Sequence, residues 1–145
     1  MPKILITEDD IPLLEMLQQA FEQEGYIIQC ASCGRTALQW LKEPVKPDLI
    51  ILDIGLPDTD GITLCKTIKD DPATRKIPVI ILTANMTNEA KIKANTTAHA
   101  DLFLNKPIEL KELTGAAKTL IDEYLKQKTF LSDISLKRRF LSDNR

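Results

Sequence analysis

Glu8, Asp9 and Asp10 stand side by side, directly after the apolar run that opens "KILIT". Like charges at this spacing repel, so they are gathered for a positive species or for free backbone N–H groups. Further along, three other polar residues each close an apolar run: Asp53 after "DLIIL", Thr83 after "VIIL" and Lys106 after "ADLFLN". Carboxylates, a hydroxyl and an ammonium in one place suit phosphoryl chemistry. Three close carboxylates cannot all stay ionised cheaply; one takes up a proton, or a cation binds. Mg²⁺ is a hard ion that takes carboxylate oxygens, and its charge favours an incoming anionic phosphoryl group. In that setting Asp53 is the nucleophile of an acyl phosphate. Thr83 hydrogen-bonds one phosphoryl oxygen and Lys106 neutralises another. Positioning and charge stabilisation are most of what such a transfer asks of a protein.

These residues meet only if the elements carrying them end at one edge. Five apolar runs recur: "KILI" from 3, "YIIQCA" from 26, "DLIILDI" from 48, "IPVIILTA" from 77 and "ADLFLNKP" from 100. Continuous short runs rich in Ile, Val and Leu suit strands buried on both faces, hence a parallel sheet. Parallel strands need crossovers, usually helices. From Asp10 to Glu24, Leu13, Leu14, Leu17 and Phe21 share a helical face, and Gly25 ends the stretch. Residues 35–42 and 60–70 read as short helices, and 87–96 as a polar one. Leu110, Leu113, Ala117, Leu120 and Tyr124 recur at helical spacing in a last helix expected to end near Lys128. The order is βαβαβαβαβα, an α/β doubly wound, five-stranded domain. In such open sheets the site lies at the carboxyl ends of the strands, where Glu8, Asp9, Asp53, Thr83 and Lys106 all fall. The expected division is a domain over 1–128 and a tail over 129–145, a short helix or linker.

The bulk composition sets outer bounds. The chain has 145 residues, 43% hydrophobic and 28% charged, with net charge −2. That is a single-domain globular composition with no bulk drive toward nucleic acid or anionic membrane. Residues 129–145 carry +2, so the rest carries −4. Cys30, Cys33 and Cys65 are too few for a disulfide framework, which points to a reducing cytoplasm. The first apolar run is too short for a signal-peptide core or a membrane span.

Four of these stretches together resemble the response-regulator receiver domains of two-component signalling. "ILITEDD" is similar to the acidic-pocket motif, "LIILDIGLPDTDG" to the phosphoacceptor motif, "VIILTA" to the switch-threonine motif and "ADLFLNKPI" to the lysine–proline motif. The resemblance covers residues 3 to about 127. It implies a flavodoxin-like strand order 2-1-3-4-5. It implies Asp53 as acceptor of a phosphoryl group from a histidine kinase or histidine phosphotransfer protein. Glu8, Asp9, Asp53 and the Gly55 backbone carbonyl would hold Mg²⁺, and Thr83, Ala84 and Lys106 would bind the phosphoryl group. Thr83 and Phe103 would be the switch pair, and a cis bond before Pro107 would aim Lys106. The face of the fourth helix, fifth strand and fifth helix would then change its binding of a second copy or a downstream protein. Such a chain catalyses only its own phosphorylation and dephosphorylation. It departs from the pattern at Glu8, where aspartate is commoner, at Phe103, which lacks a tyrosine hydroxyl, and at His99, where glycine is frequent.

Plainer readings stand beside these. Asp10 is read as a cap of the first helix, leaving the metal to Glu8 and Asp9. "CASC" at 30–33 has redox spacing but no second pair, and "DTDG" at 58–61 lacks the rest of a calcium loop. "LKRR" at 136–139 reads as a solvated helix face. Phe130, Ile134 and Leu141 would form an apolar stripe if the tail is a contact element. The favoured function is a stand-alone regulator. The alternatives are a receiver fragment of a longer transcriptional regulator or hybrid kinase, an aspartate-nucleophile phosphatase, and a pseudo-receiver that only docks.

Overall fold

The computed structural model describes residues 1–84 and 87–143. Strand and helix alternate: β1 (Lys3–Thr7), α1 (Ile11–Gln23), β2 (Ile27–Ala31), α2 (Gly34–Leu41), β3 (Leu49–Asp53), α3 (Gly61–Asp70), β4 (Val79–Thr83), α4 (Asn88–Ala98), β5 (Leu102–Asn105) and α5 (Leu110–Asp143). The strands make one parallel sheet in the order β2-β1-β3-β4-β5.

The burial of each strand follows its place in that order. Every residue of β3 and β4 is buried, while the edge strands β2 and β5 alternate or stay half-exposed. Successive side chains leave opposite faces of a strand, so each strand feeds two cores. Leu5, Ile50, Leu52 and Ile81 pack with Ala37, Leu64, Ile68 and Ala98 of α2, α3 and α4. Ile4, Ile6, Ile51 and Leu82 pack with Leu17 and Phe21 of α1 and with Leu113, Ala117 and Ile121 of α5. Continuous apolar runs are thus explained by two covered faces.

Helix starts are set by short polar side chains. Asp10 Oδ1 accepts from the Leu13 N–H at 3.3 Å, and Thr87 Oγ1 from Ala90 N–H at 3.1 Å. Asp60 Oδ1 accepts from Thr63 N–H at 2.7 Å. The start of α2 is capped from elsewhere. Cys33 stands at its cap position without a capping bond, and the two oxygens of Asp58 accept from the N–H groups of Gly34 and Arg35 at 2.8 and 2.9 Å. Both acids of "DTDG" are therefore committed to helix N-termini. The Thr63 N–H, and its hydroxyl after burial is counted, hold the Asp60 carboxyl below its ordinary range. Its stabilisation is then complete above the unfolded carboxyl value of about 3.9 and is lost as pH falls through the lower folded value. We expect Asp60→Ala to destabilise the protein by about 1 kcal/mol at pH 7. The gap to wild type should narrow in urea titrations repeated at acidic pH.

The expected end of the last helix near Lys128 is corrected by the structure. α5 runs unbroken to Asp143, so 129–143 continues the last helix and is not a separate short one. No glycine or proline follows Gly115, and nothing else in the backbone stops a helix. The change to basic composition alters the surface charge, not the helical preference. At the other departure, His99 closes α4 in the left-handed region at φ 58°, with its N–H on Asn95 O at 2.9 Å. Histidine thus makes the turn that glycine makes more cheaply.

Candidate functional site

Glu8 follows β1 and is wholly buried, whereas Asp9 is exposed. Asp53 is the last residue of β3, the neighbour of β1 in the sheet, and is 5% exposed. One carboxylate oxygen from each of Glu8, Asp9 and Asp53 lies within 4.8 Å of the others. Asp10, by contrast, turns its side chain to α1. The acidic triplet is thus divided by the fold, two residues facing Asp53 and the third capping a helix.

A single cation of the chain reaches this cluster among the described residues. Lys106 follows β5 directly, and its Nζ lies 3.1 Å from Asp53 Oδ1 and 3.0 Å from Glu8 Oε2. It donates a hydrogen bond to Glu8 Oε1 at 3.3 Å, an oxygen that also accepts the Asp10 N–H at 3.2 Å. Glu8 Oε2 has charge proximity to the ammonium but no hydrogen bond, although it is buried. Burial lifts the Glu8 carboxyl above its usual range, and the Asp53 charge adds to this. Lys106 and the Asp10 N–H pull it back only in part. Burial works against the Lys106 ammonium, but Glu8 and Asp53 outweigh it and hold its pKa above the usual value.

The remaining predicted residues surround these. Thr83 ends β4 and is 1% exposed; its carbonyl accepts the Lys106 N–H at 2.7 Å, which ties the lysine to the β4 edge. Exposed Ala84 follows it. Gly55 sits beside the Asp53 carboxylate, since a Cβ built on it would lie 3.9 Å from Asp53 Oδ2. The Lys106–Pro107 bond is cis. Phe103 is half-buried on β5 opposite Ile81 and packs on the core of α2, α3 and α4.

The donor set fits a hard divalent cation. It is all oxygen, it gathers more negative charge than one lysine balances, and it holds a buried carboxylate oxygen with no hydrogen-bond donor. The cluster is an acidic pocket compatible with Mg²⁺. The three cysteines are free thiols. Burial raises Cys30 and pushes Cys65 up to about 11, the opposite of an activated thiolate.

Sequence reasoning missed Gly61. A Cβ there would stand 2.4 Å from the Asp53 carbonyl oxygen and 2.8 Å from Ile54 Cα. The start of α3 is pressed on the backbone of Asp53, and the Gly61 N–H bonds Ile54 O at 2.8 Å. The one legible signal was a glycine directly after the capping Asp60.

An open parallel α/β sheet binds its ligands beyond the carboxyl ends of its strands, where this chain places its acidic pocket and Lys106. The profile of the response regulator receiver domain matches residues 4–118, and the chain belongs to that family of two-component signalling proteins. It is 38% identical over 119 residues to the phosphate regulon transcriptional regulatory protein PhoB of Escherichia coli, covering 82% of this chain and 51% of PhoB. It is 36% identical over 121 residues to the DNA-binding dual master transcriptional regulator RpaA of Synechocystis sp., covering 83% of this chain and 49% of RpaA. The chain thus spans about half the length of these relatives. Among solved structures, the signal receiver domain of a signal transduction histidine kinase from Syntrophus aciditrophicus matches with TM-score 0.77 and 34% identity, over 85% of this chain and 92% of that one. Among the described residues, no helix is long and apolar enough to cross a membrane.

Proposed function

We propose that Asp53 is the phosphoacceptor of a His-Asp relay, taking its phosphoryl group from a histidine kinase or a histidine phosphotransfer protein. One observation carries this reading: the Asp53 carboxylate is gathered with Glu8 and Asp9 within 4.8 Å, and Lys106 is 3.1 Å away. An Asp53 oxygen attacks phosphorus as the phosphorus–nitrogen bond of the donor breaks, and the electron pair of that bond stays with the imidazole. Glu8, Asp9, Asp53 and the Gly55 carbonyl would hold Mg²⁺. Bound there, the ion supplies Lewis-acid charge against the phosphoryl oxygens.

The chain's own groups do the rest. Lys106 neutralises one phosphoryl oxygen, the Thr83 hydroxyl binds another, and the Ala84 backbone lines the same edge. Thr83 then moves toward the phosphoryl group and Phe103 turns inward. The face of α4, β5 and α5 changes its affinity for a partner, a charge event biasing a two-state element. The receiver unit is assigned to 1–128, with 129–145 as a C-terminal tail whose residues 129–143 extend the last helix. It acts in the cytoplasm and catalyses only its own phosphorylation and dephosphorylation, without contacting nucleic acid or membrane itself. The half-length coverage of PhoB and RpaA favours a second reading of the output, in which this unit works in front of an effector domain.

Incubation with Mg²⁺ and acetyl phosphate, followed by intact-mass measurement, tests the acceptor. The expected result is a gain of one phosphoryl group in the wild type and none in Asp53→Ala. Donor hydrolysis that persists in Asp53→Ala would instead mark a phosphatase, and no mass change at all would mark a docking module; either overturns the reading.

A further inference from the structure

The second half of α5 carries exposed apolar side chains: Leu131 and Leu136 border a groove with Pro72, Ala73 and Lys76, and Phe130 lies outside it. Phe130 is 64% exposed, Leu131 47% and Leu136 61%. A helix of about 15 residues standing alone is marginal in water, so this segment gains by burying part of its surface. The pattern of charge around Phe130 says against what.

Helical spacing of about 3.6 residues per turn puts Glu123, Lys126, Phe130, Asp133, Ile134 and Lys137 on one outward face, turned away from Leu113, Ala117 and Ile121, which pack on the sheet. Glu123, Lys126, Asp133 and Lys137 are exposed and make no ion pair among the described residues. Glu123 lies seven residues before Phe130, and Lys137 seven after it. Turn a second copy of the helix antiparallel about a two-fold axis at Phe130. Glu123 then faces the copy's Lys137, and Lys126 lies beside the copy's Asp133 on the same side of the contact. Each pair occurs twice, and the two Phe130 rings meet at the axis. In a parallel, in-register pair the same face would oppose glutamate to glutamate and lysine to lysine. Like charges placed opposite are destabilising, and their complementarity chooses orientation.

We propose that the outward face of α5 around Phe130 is an interface with a second copy of this chain, paired antiparallel. The contact is isologous, as two-fold pairs are. It lies on the second half of the helix, apart from the acidic pocket. It therefore forms without phosphorylation, and its test does not depend on the acceptor assignment. The area is that of a single helix pair, so the dimer is weak and reversible.

Sedimentation equilibrium of the full chain, without phosphodonor, reads the monomer–dimer constant. Phe130→Asp should weaken dimerisation at least about tenfold, as loss of a central aromatic anchor does. Glu123→Lys and Lys137→Glu should each weaken it several-fold, and the doubly swapped chain should return to within about twofold of wild type. High salt should weaken the wild-type dimer. A monomer at all concentrations, a dimer indifferent to Phe130→Asp, or a double swap that fails to rescue would each overturn the proposal. Circular dichroism of each variant guards against loss of fold; all these positions are exposed, so helicity should be unchanged.

Discussion

Lys106→Ala should bind Mg²⁺ more tightly than the wild type and yet accept a phosphoryl group about 100-fold more slowly. The two effects come from one geometry. The Lys106 ammonium lies 3.0 Å from Glu8 and 3.1 Å from Asp53, two of the oxygens a divalent ion would use. Two opposite unit charges about 4 Å apart interact by up to about 4 kcal/mol at an effective dielectric of 20. Lys106 is 23% exposed, so screening reduces that figure, and a gain of about tenfold in Mg²⁺ affinity, or about 1.4 kcal/mol, is expected. The slowing has the opposite origin. A positioned cation aimed at charge developing on the phosphoryl oxygens is worth about 10²–10³ in rate. Calorimetric Mg²⁺ titration and the rate of mass gain from acetyl phosphate separate the two. Weaker Mg²⁺ binding in the variant would show that the lysine organises the pocket rather than competing for it.

The same substitution acts on stability. It leaves the buried Glu8 carboxyl without its counter-charge, at a cost of about 2 kcal/mol in the absence of Mg²⁺, below the full range for a broken buried pair because the lysine is partly solvated. Burial already holds Glu8 above its unfolded value, so the folded state binds the extra proton. Stability from this group therefore falls as pH rises from the unfolded carboxyl value through the raised folded one. Removing Lys106 steepens that fall. Added Mg²⁺ should restore stability to the variant more than to the wild type, by binding the folded state alone.

Gly61→Ala should destabilise the protein by about 2–4 kcal/mol and weaken Mg²⁺ binding with it. The new Cβ would meet the Asp53 carbonyl oxygen at 2.4 Å and Ile54 Cα at 2.8 Å. Both are backbone atoms, so no rotamer relieves the clash and the start of α3 or the end of β3 must move. The end of β3 carries Asp53, so strain there displaces its carboxylate from Glu8 and Asp9. Gly115→Ala is the matched control. A Cβ on Gly115, within α5, meets nothing within 4 Å, and alanine should stabilise that helix by about 0.5–1 kcal/mol. Urea denaturation of the two variants should give shifts of opposite sign. A Gly61→Ala protein as stable as the wild type would refute the close approach.

Much of this molecule was legible from residue order because the signals are local. Continuous apolar runs mark strands covered on two faces, and the recurrence of Leu14, Leu17 and Phe21 marks a helix packed on one. Asp10 was legible as a cap because a cap is read by its own helix. Polar residues closing apolar strands picked out Glu8, Asp9, Asp53, Thr83 and Lys106, since strands of one parallel sheet end at one edge. Asp58 was not legible as the cap of α2, because its partners Gly34 and Arg35 lie on the far side of β3 in the chain. The length of α5 was misjudged at a change of charge, which a helical backbone does not register.

Sequence alone therefore determined the order of elements, the sheet class and the kinds of side chain at the carboxyl edge, all properties of spacing along the chain. Only the tertiary structure decided that Glu8 is buried with one oxygen lacking a hydrogen bond, and that Lys106 already sits between Glu8 and Asp53. It also decided that Gly61 touches the backbone of Asp53 and that Phe130, on the second half of α5, stands bare. Each of these depends on what lies across a gap in space, set by packing between residues that no periodicity relates. The acids of "ITEDD" show the division within a few residues: their identity is written in the chain, but which of them faces Asp53 is decided by where α1 begins.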